Sequence, residues 1–281
     1  MRKLLNCKKI AGWALFATLL LSAPSQAQLS WASIEQYNVD ARLLHYQSHG
    51  SPGGTLLIWP ELGQTHLWLP IANAWQQRGW QVLLLQPDER QQQFDPASEQ
   101  PPPQQSQWLK QLSTQLAGLL PDNSLPKQDK EKEPSPLVVI TQGSAALWYQ
   151  QLVDGDETAR PQALILFDAL PSQFSEQQML AISLARSPYP ILDIYSRPDS
   201  PLAWHNQQRR QQQLSRREKT GYAVQRFNGA IVLNKQIAGW LVRLGWLPLP
   251  PSAPHYLKEQ HREFGISRPR NPTPSGAPAS P

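Results

Sequence analysis

The chain has 281 residues, 40% of them hydrophobic and 17% charged, with a formal net charge of +5. That length and balance suit a folded protein of one large α/β domain or two small ones. The charge sits at the start: Arg2, Lys3, Lys8 and Lys9 precede any acid, and without residues 1–27 only 22 basic residues face 21 acidic ones. So neutral a remainder excludes nucleic-acid binding, which needs clustered Lys and Arg to neutralise phosphates.

The basic start is followed by an apolar run, Ile10–Leu21, and by Ser25-Gln26-Ala27, which puts small residues at the −3 and −1 positions of a cleavage site. These three parts predict a secretory signal over residues 1–27 and an exported, periplasmic protein. Twelve apolar residues make a helix of about 18 Å, shorter than the ~30 Å hydrocarbon core. No later run reaches the length of a membrane span, so no transmembrane segment is expected after signal removal. Cys7 is the only cysteine, and it lies before the apolar run. The exported chain is therefore expected to lack disulfides, cysteine nucleophiles and thiolate metal sites.

Strand-like runs then recur along the chain at Val39–Tyr46, Thr55–Trp59, Trp80–Leu85, Leu137–Thr141, Ala163–Phe167, Ile191–Tyr195 and Tyr222–Phe227. The most apolar of them read as strands buried on both faces, the mark of a parallel sheet. Helical patterns lie between. One runs from His66 to Arg78 and is closed by Gly79. Trp108, Leu112, Leu116 and Leu119 form an amphipathic face, as do Leu233, Ile237, Trp240 and Leu244. The alternation predicts a doubly wound, mostly parallel α/β sheet flanked by helices, with its ligand crevice at the carboxyl ends of the strands. Three segments read as unpacked: the Gln- and Pro-rich loop 91–107, the loop 121–136, and the tail 248–281, which holds nine of the 28 prolines. Of the eleven tryptophans, Trp59, Trp80, Trp148 and Trp240 are expected in the core, while Trp68, Trp75 and Trp204 suit either the core or the crevice.

The informative turn follows Leu137–Thr141. A buried strand runs through Gln142-Gly143-Ser144-Ala145-Ala146 into a helix. A nucleophile elbow has this form: a serine on a sharp strand-to-helix turn, with small residues two places to either side. Thr141 and Ala145 take the small positions, which places Gly143 at the apex. Glycine accepts the strained backbone there and brings no hydroxyl. The alternative register puts Ser144 at the apex and the larger Gln142 at a small position. With Gly143 at the apex, Ser144 opens the helix as a capping residue.

At these residues the chain resembles the α/β-hydrolase superfamily, and more narrowly an exported bacterial family of unknown function with that fold. The signs are Leu57-Ile-Trp-Pro-Glu-Leu-Gly-Gln64, Gly79-Trp80 with Pro87, Thr141-Gln-Gly-Ser-Ala-Ala146 and Ile237-Ala-Gly-Trp-Leu241. The resemblance implies a single α/β-hydrolase-like domain over 28–247 and a triad in the order nucleophile, acid, histidine. Pro190–Asp199 places Asp199 at the acid position. No histidine follows the last strand. His255 and His261 lie in the tail, and His205 lies on the helical segment after Asp199. The triad is thus degenerate. Leu62, Gly63 and the N–H of Ser144 occupy the place of an oxyanion hole and suit an anion pocket.

No metal-binding motif, dinucleotide fingerprint or P-loop is present, so no cofactor or metal is expected. Arg209-Arg210 and Arg216-Arg217 flank Gln211–Gln213 on a predicted helix and read as a solvated face, or as a contact for an anionic partner. The expectation is a protein that binds a small molecule or an envelope partner without catalysis. The alternative is a serine esterase or peptidase using Ser144 with Asp199 and His205. A third reading is an envelope interaction protein that uses the proline-rich tail and the basic segment Arg209–Arg217.

Overall fold

The computed structural model describes residues 34–37, 42–48, 52–120 and 135–249. The predicted signal over 1–27, residues 121–134 of the predicted loop 121–136 and residues 250–281 of the predicted tail lie outside the described residues, as do His255 and His261. Five strands are buried along their length or nearly so: β3 (Thr55–Trp59), β4 (Gln81–Gln86), β5 (Leu137–Gln142), β6 (Ala163–Phe167) and β7 (Ile191–Tyr195). They are the near-continuous apolar runs of the sequence, because a central parallel strand must present apolar side chains to both faces. Two strands pair antiparallel at one edge, β1 (Ile34–Tyr37) and β2 (Arg42–Tyr46), and β8 (Tyr222–Arg226) closes the other edge half-exposed. The order is β1-β2-β4-β3-β5-β6-β7-β8, parallel from β4 to β8. The fold is that of an α/β-hydrolase.

Among the described residues seven helices flank the sheet: α1 (Thr65–Gln77), α2 (Arg90–Gln93), α3 (Pro103–Leu119), α4 (Ala145–Asp154), α5 (Phe174–Arg186), α6 (Pro201–Arg216) and α7 (Ala230–Arg243). Alternate strand residues feed two cores. Leu57, Trp59, Leu83, Val139, Leu164 and Leu166 pack under α3, α4 and α5, while Leu56, Ile58, Val82, Val138, Ile140 and Ile165 pack under α1 and α7. Each buried Leu or Ile contributes about 1.5–3 kcal/mol against exposure. Trp59, Trp80, Trp148 and Trp240 lie in these cores as expected, and Trp68 and Trp75 join them, whereas Trp204 is exposed.

The sequence reading fails in three places. The segment 91–107 is not an unpacked loop: it carries α2 and the start of α3, and Gln91 and Gln105 are buried. Pro103 opens α3, a position where its missing N–H has no partner to lose. Arg210 is not on a solvated face but is the most deeply buried cation described. Its Nη1 donates to Asp193 Oδ2 at 2.5 Å and to the Tyr195 hydroxyl at 2.9 Å, and its Nη2 donates to the Ala169 carbonyl. Gln213 on the same helix is buried as well, while Arg216 and Arg217 are exposed. Of the first extended candidate, Val39–Tyr46, the described part Arg42–Tyr46 is strand β2, and a further strand that was not expected, β1, lies earlier at Ile34–Tyr37.

The chain leaves β3 for β4 on one side and then returns to β5 on the other. The two loops after β3 and β5 therefore diverge to opposite faces, into α1 and α4. That switch point is where an open α/β sheet forms its crevice. It brings Pro60–Gln64 alongside Gly143-Ser144, with Trp59 paired to Thr141.

Candidate functional site

Gly143 is the apex of the turn from β5 to α4, and its φ of +59° is a conformation glycine adopts without steric cost. Its N–H donates to the Phe167 carbonyl at 3.1 Å, which ties the apex to the end of β6. Thr141 and Ala145 are fully buried on either side, where a larger side chain would separate strand from helix. Ser144 caps α4 in a helical conformation and makes no side-chain capping bond.

The hydroxyl of Ser144 points instead at Glu61. Ser144 Oγ donates to the Glu61 carboxylate, 2.9 Å from each oxygen, and the Ser144 N–H donates to Oε2 at 2.5 Å. The N–H of Leu62 reaches Oε1 at 3.4 Å, and Gln92 Nε2 reaches the same oxygen at 3.2 Å. A Cβ added to Gly143 would lie 2.9 Å from Glu61 Cδ and 3.2 Å from its Cγ, and closer still to Oε2. Glu61 thus fills the volume that a side chain at the apex would occupy. It also engages the two backbone N–H groups, of Leu62 and Ser144, that a hydrolase of this fold offers to an oxyanion. Gly63 contributes the turn, with φ +76°, and its carbonyl lies 3.1 Å from His66 Nδ1.

Gln91 locks this arrangement from below. Its Nε2 donates to Ser144 Oγ at 3.1 Å, its Oε1 accepts from Trp59 Nε1 at 2.8 Å, and its carbonyl accepts from Trp148 Nε1 at 3.0 Å. A buried amide with every polar atom partnered is rigid, because any rotation leaves a donor or acceptor unsatisfied at about 1–3 kcal/mol.

The other residues of the predicted triad do not join Ser144 in this network. Asp199 is exposed in the turn after β7. His205 is exposed on α6, its ring edge-on to Trp204 at 5.0 Å. Another carboxylate, Asp168, follows β6. It holds a positive φ of 46° and accepts from the Ser196 N–H at 2.8 Å. Sequence reasoning missed Glu61 and Gln91 as site residues. The available signal was the coincidence of a glycine apex with an acid in the oxyanion loop.

Beside the elbow lies a cavity of about 560 Å³, lined by Leu62, Gln86, Pro87, Asp88, Glu89, Arg90 and Gln93. Arg90 forks onto Asp88, with Nε and Nη2 at 2.8 and 2.5 Å from Oδ2. Among the described residues no group of three His, Cys, Asp or Glu side chains could hold a metal ion, and no helix is long and apolar enough to cross a membrane.

Several solved structures resemble this chain. A dienelactone hydrolase from Anabaena variabilis is 14% identical over 75% of this chain and 98% of its own, with a TM-score of 0.48. A lipase/esterase from Lactobacillus plantarum is 13% identical over 76% and 99%, with a TM-score of 0.48. An esterase from Pyrococcus furiosus is 10% identical over 75% and 93%, also at 0.48. None of them transfers an activity to this chain. No curated protein matches it. The model of one family, described as a protein of unknown function (DUF3530), matches residues 85–241, from the end of β4 through the elbow to α7, and the chain belongs to that family.

Proposed function

We propose that this protein is a non-hydrolysing member of the α/β-hydrolase fold that acts by binding. The observation that carries this is the Glu61 carboxylate at the elbow, seated against Gly143 and bonded to both the N–H and the hydroxyl of Ser144. A serine needs a base that takes its proton and a free pair of donors for the oxyanion. Here the apex has no hydroxyl, the donors are engaged, and the adjacent Ser144 hydroxyl faces a carboxylate rather than an imidazole. Exposed apolar side chains support binding as the role. Leu67 and Leu69 of α1, Phe174 of α5, and Leu202 and Trp204 of α6 are 38–67% exposed. All lie in the first five residues of helices that begin at the carboxyl edge of the sheet, around the crevice.

Export to the periplasm, and an envelope partner or small molecule as the bound species, complete the reading and rest on the sequence. The test is labelling with a fluorophosphonate. No covalent adduct is expected at any serine. Stoichiometric labelling that disappears in Ser144→Ala would overturn the proposal and restore the esterase or peptidase built on Ser144, Asp199 and His205.

A further inference from the structure

We infer that the elbow is a carboxylate-exchange site: Glu61 is its self-supplied occupant, and a monocarboxylic acid with its body in the adjoining 560 Å³ cavity takes Glu61's place. This inference rests on the non-hydrolysing reading above and names the class of ligand.

The first ground is the donor set. Ser144 N–H and Oγ–H, Leu62 N–H and Gln92 Nε2 converge on one planar, two-oxygen group, from α4, the β3–α1 loop and the segment of α2. Each carboxylate oxygen receives a donor, and Gln91 holds the Ser144 hydroxyl in place. No cation takes part in these bonds. The donors meet the two oxygens of one planar group, the shape of a carboxylate, and the helix N-terminus favours its negative charge.

The second ground is the occupant. Glu61 belongs to the loop, not to the scaffold. It is half-buried, and two residues on Gly63 is exposed, with φ +76° and nothing within 4 Å of where a Cβ would stand. Exchanging one carboxylate for another keeps the charge at the elbow unchanged and every donor satisfied. The cost of leaving charged partners unpaired, which makes most such displacements prohibitive, does not arise.

The third ground is the space beside it. Leu62 lines the cavity and its N–H bonds the carboxylate, so head group and cavity meet at one residue. The volume is in the range of small-molecule sites. Leu62 and Pro87 offer apolar surface, and Gln86 and Gln93 offer amides. Asp88 and Glu89 outnumber Arg90, whose guanidinium is already on Asp88. A second negative charge on the ligand would meet repulsion there, which limits the class to monocarboxylates.

The experiment measures hexanoate binding to the full chain by ligand-observed NMR, with hexanamide and inorganic phosphate as controls. Apparent affinity falls with the fraction of molecules in which the cradle is vacant. Hexanoate should therefore bind Glu61→Ala about tenfold or more tighter than the unaltered protein. Hexanamide and phosphate should bind neither. In Glu61→Ala, a further Leu62→Trp should weaken hexanoate while leaving acetate, which needs only the cradle, unaffected. Glu61→Gln keeps the side-chain volume and removes the charge, so it gives the same direction should Glu61→Ala not fold. Equal hexanoate affinity with and without Glu61, or hexanamide or phosphate binding as well as hexanoate, overturns the inference. Hexanoate unaffected by Leu62→Trp removes the cavity from it. Fluorophosphonate labelling of the same preparations separates the two failures. Absent hexanoate binding without labelling sinks the exchange alone, whereas labelling at Ser144 sinks the non-hydrolysing reading itself.

Discussion

Gly143 and Glu61 should be coupled in stability, because the apex and the carboxylate compete for one volume. Consider Gly143→Ser. A non-glycine residue at φ +59° costs about 1–2 kcal/mol in backbone strain. The new Cβ, 2.9 Å from Glu61 Cδ, also expels the carboxylate and breaks its bonds to Ser144. Hydrogen bonds to a charged group are each worth about 1.5–3 kcal/mol, but Glu61 is half-exposed and regains water, so about 2–3 kcal/mol is the expected loss. The single change should cost about 3–5 kcal/mol. Glu61→Ala alone should cost the same about 2–3 kcal/mol for the lost bonds. In the double variant those bonds are lost only once, so the total should again be about 3–5 kcal/mol, leaving a coupling of about 2–3 kcal/mol. Urea unfolding followed by tryptophan fluorescence measures all four corners of the cycle. Costs that add to within about 0.5 kcal/mol would show that the two side-chain positions do not exclude one another, and the account of the elbow would be wrong.

Other consequences can be measured on the same footing. Arg210→Met leaves Asp193, fully buried and also bonded by Tyr195 and Tyr222, without its counter-charge, and should cost about 3–5 kcal/mol. Adding Asp193→Asn should recover part of that, and a double variant less stable than Arg210→Met would contradict the charge argument. Burial holds the Tyr189 hydroxyl up at about 12 from its ordinary 10.0 despite its bond to Gln150. The folded state thus keeps this proton between pH 10 and about 12 while the unfolded chain loses it. Stability present below pH 10 is lost across that window, by about 3 kcal/mol in total. Tyr189→Phe should flatten this part of the pH–stability curve, and an unchanged slope would count against it. Gly54 faces the Trp80 ring, with a Cβ only 2.5–2.8 Å from three ring atoms, and Trp80 is fixed edge-on to Trp75 at 5.2 Å. Gly54→Ala should cost about 1–3 kcal/mol by overpacking and should raise the exposure of the Trp80 ring, read as a red shift in its emission.

Most of the sheet was legible because β3 to β7 carry their burial in composition: runs such as Leu137–Thr141 have no polar side to show. The elbow was legible because glycine with small neighbours is a local requirement of a sharp turn. The contents of the elbow were not. Glu61 lies 83 residues from Ser144 in the chain, and only the switch between β3 and β5 makes them neighbours. The segment 91–107 was misread because glutamine signals solvent on average. Gln91 is buried since two indole N–H groups and a hydroxyl satisfy it, and nothing in a local window reveals those partners. Arg210 was misread for the same reason, since its counter-ion stands on the neighbouring strand β7.

The mutual exclusion at Gly143 also has a consequence for how this molecule can change over generations. A codon change that placed an alcohol at the tip of the turn would meet an acid already in residence, and one that removed the acid would leave a hollow beside a bare glycine. Neither step is useful alone. The two positions can therefore change usefully only together, and even then the turn would still want a proton acceptor.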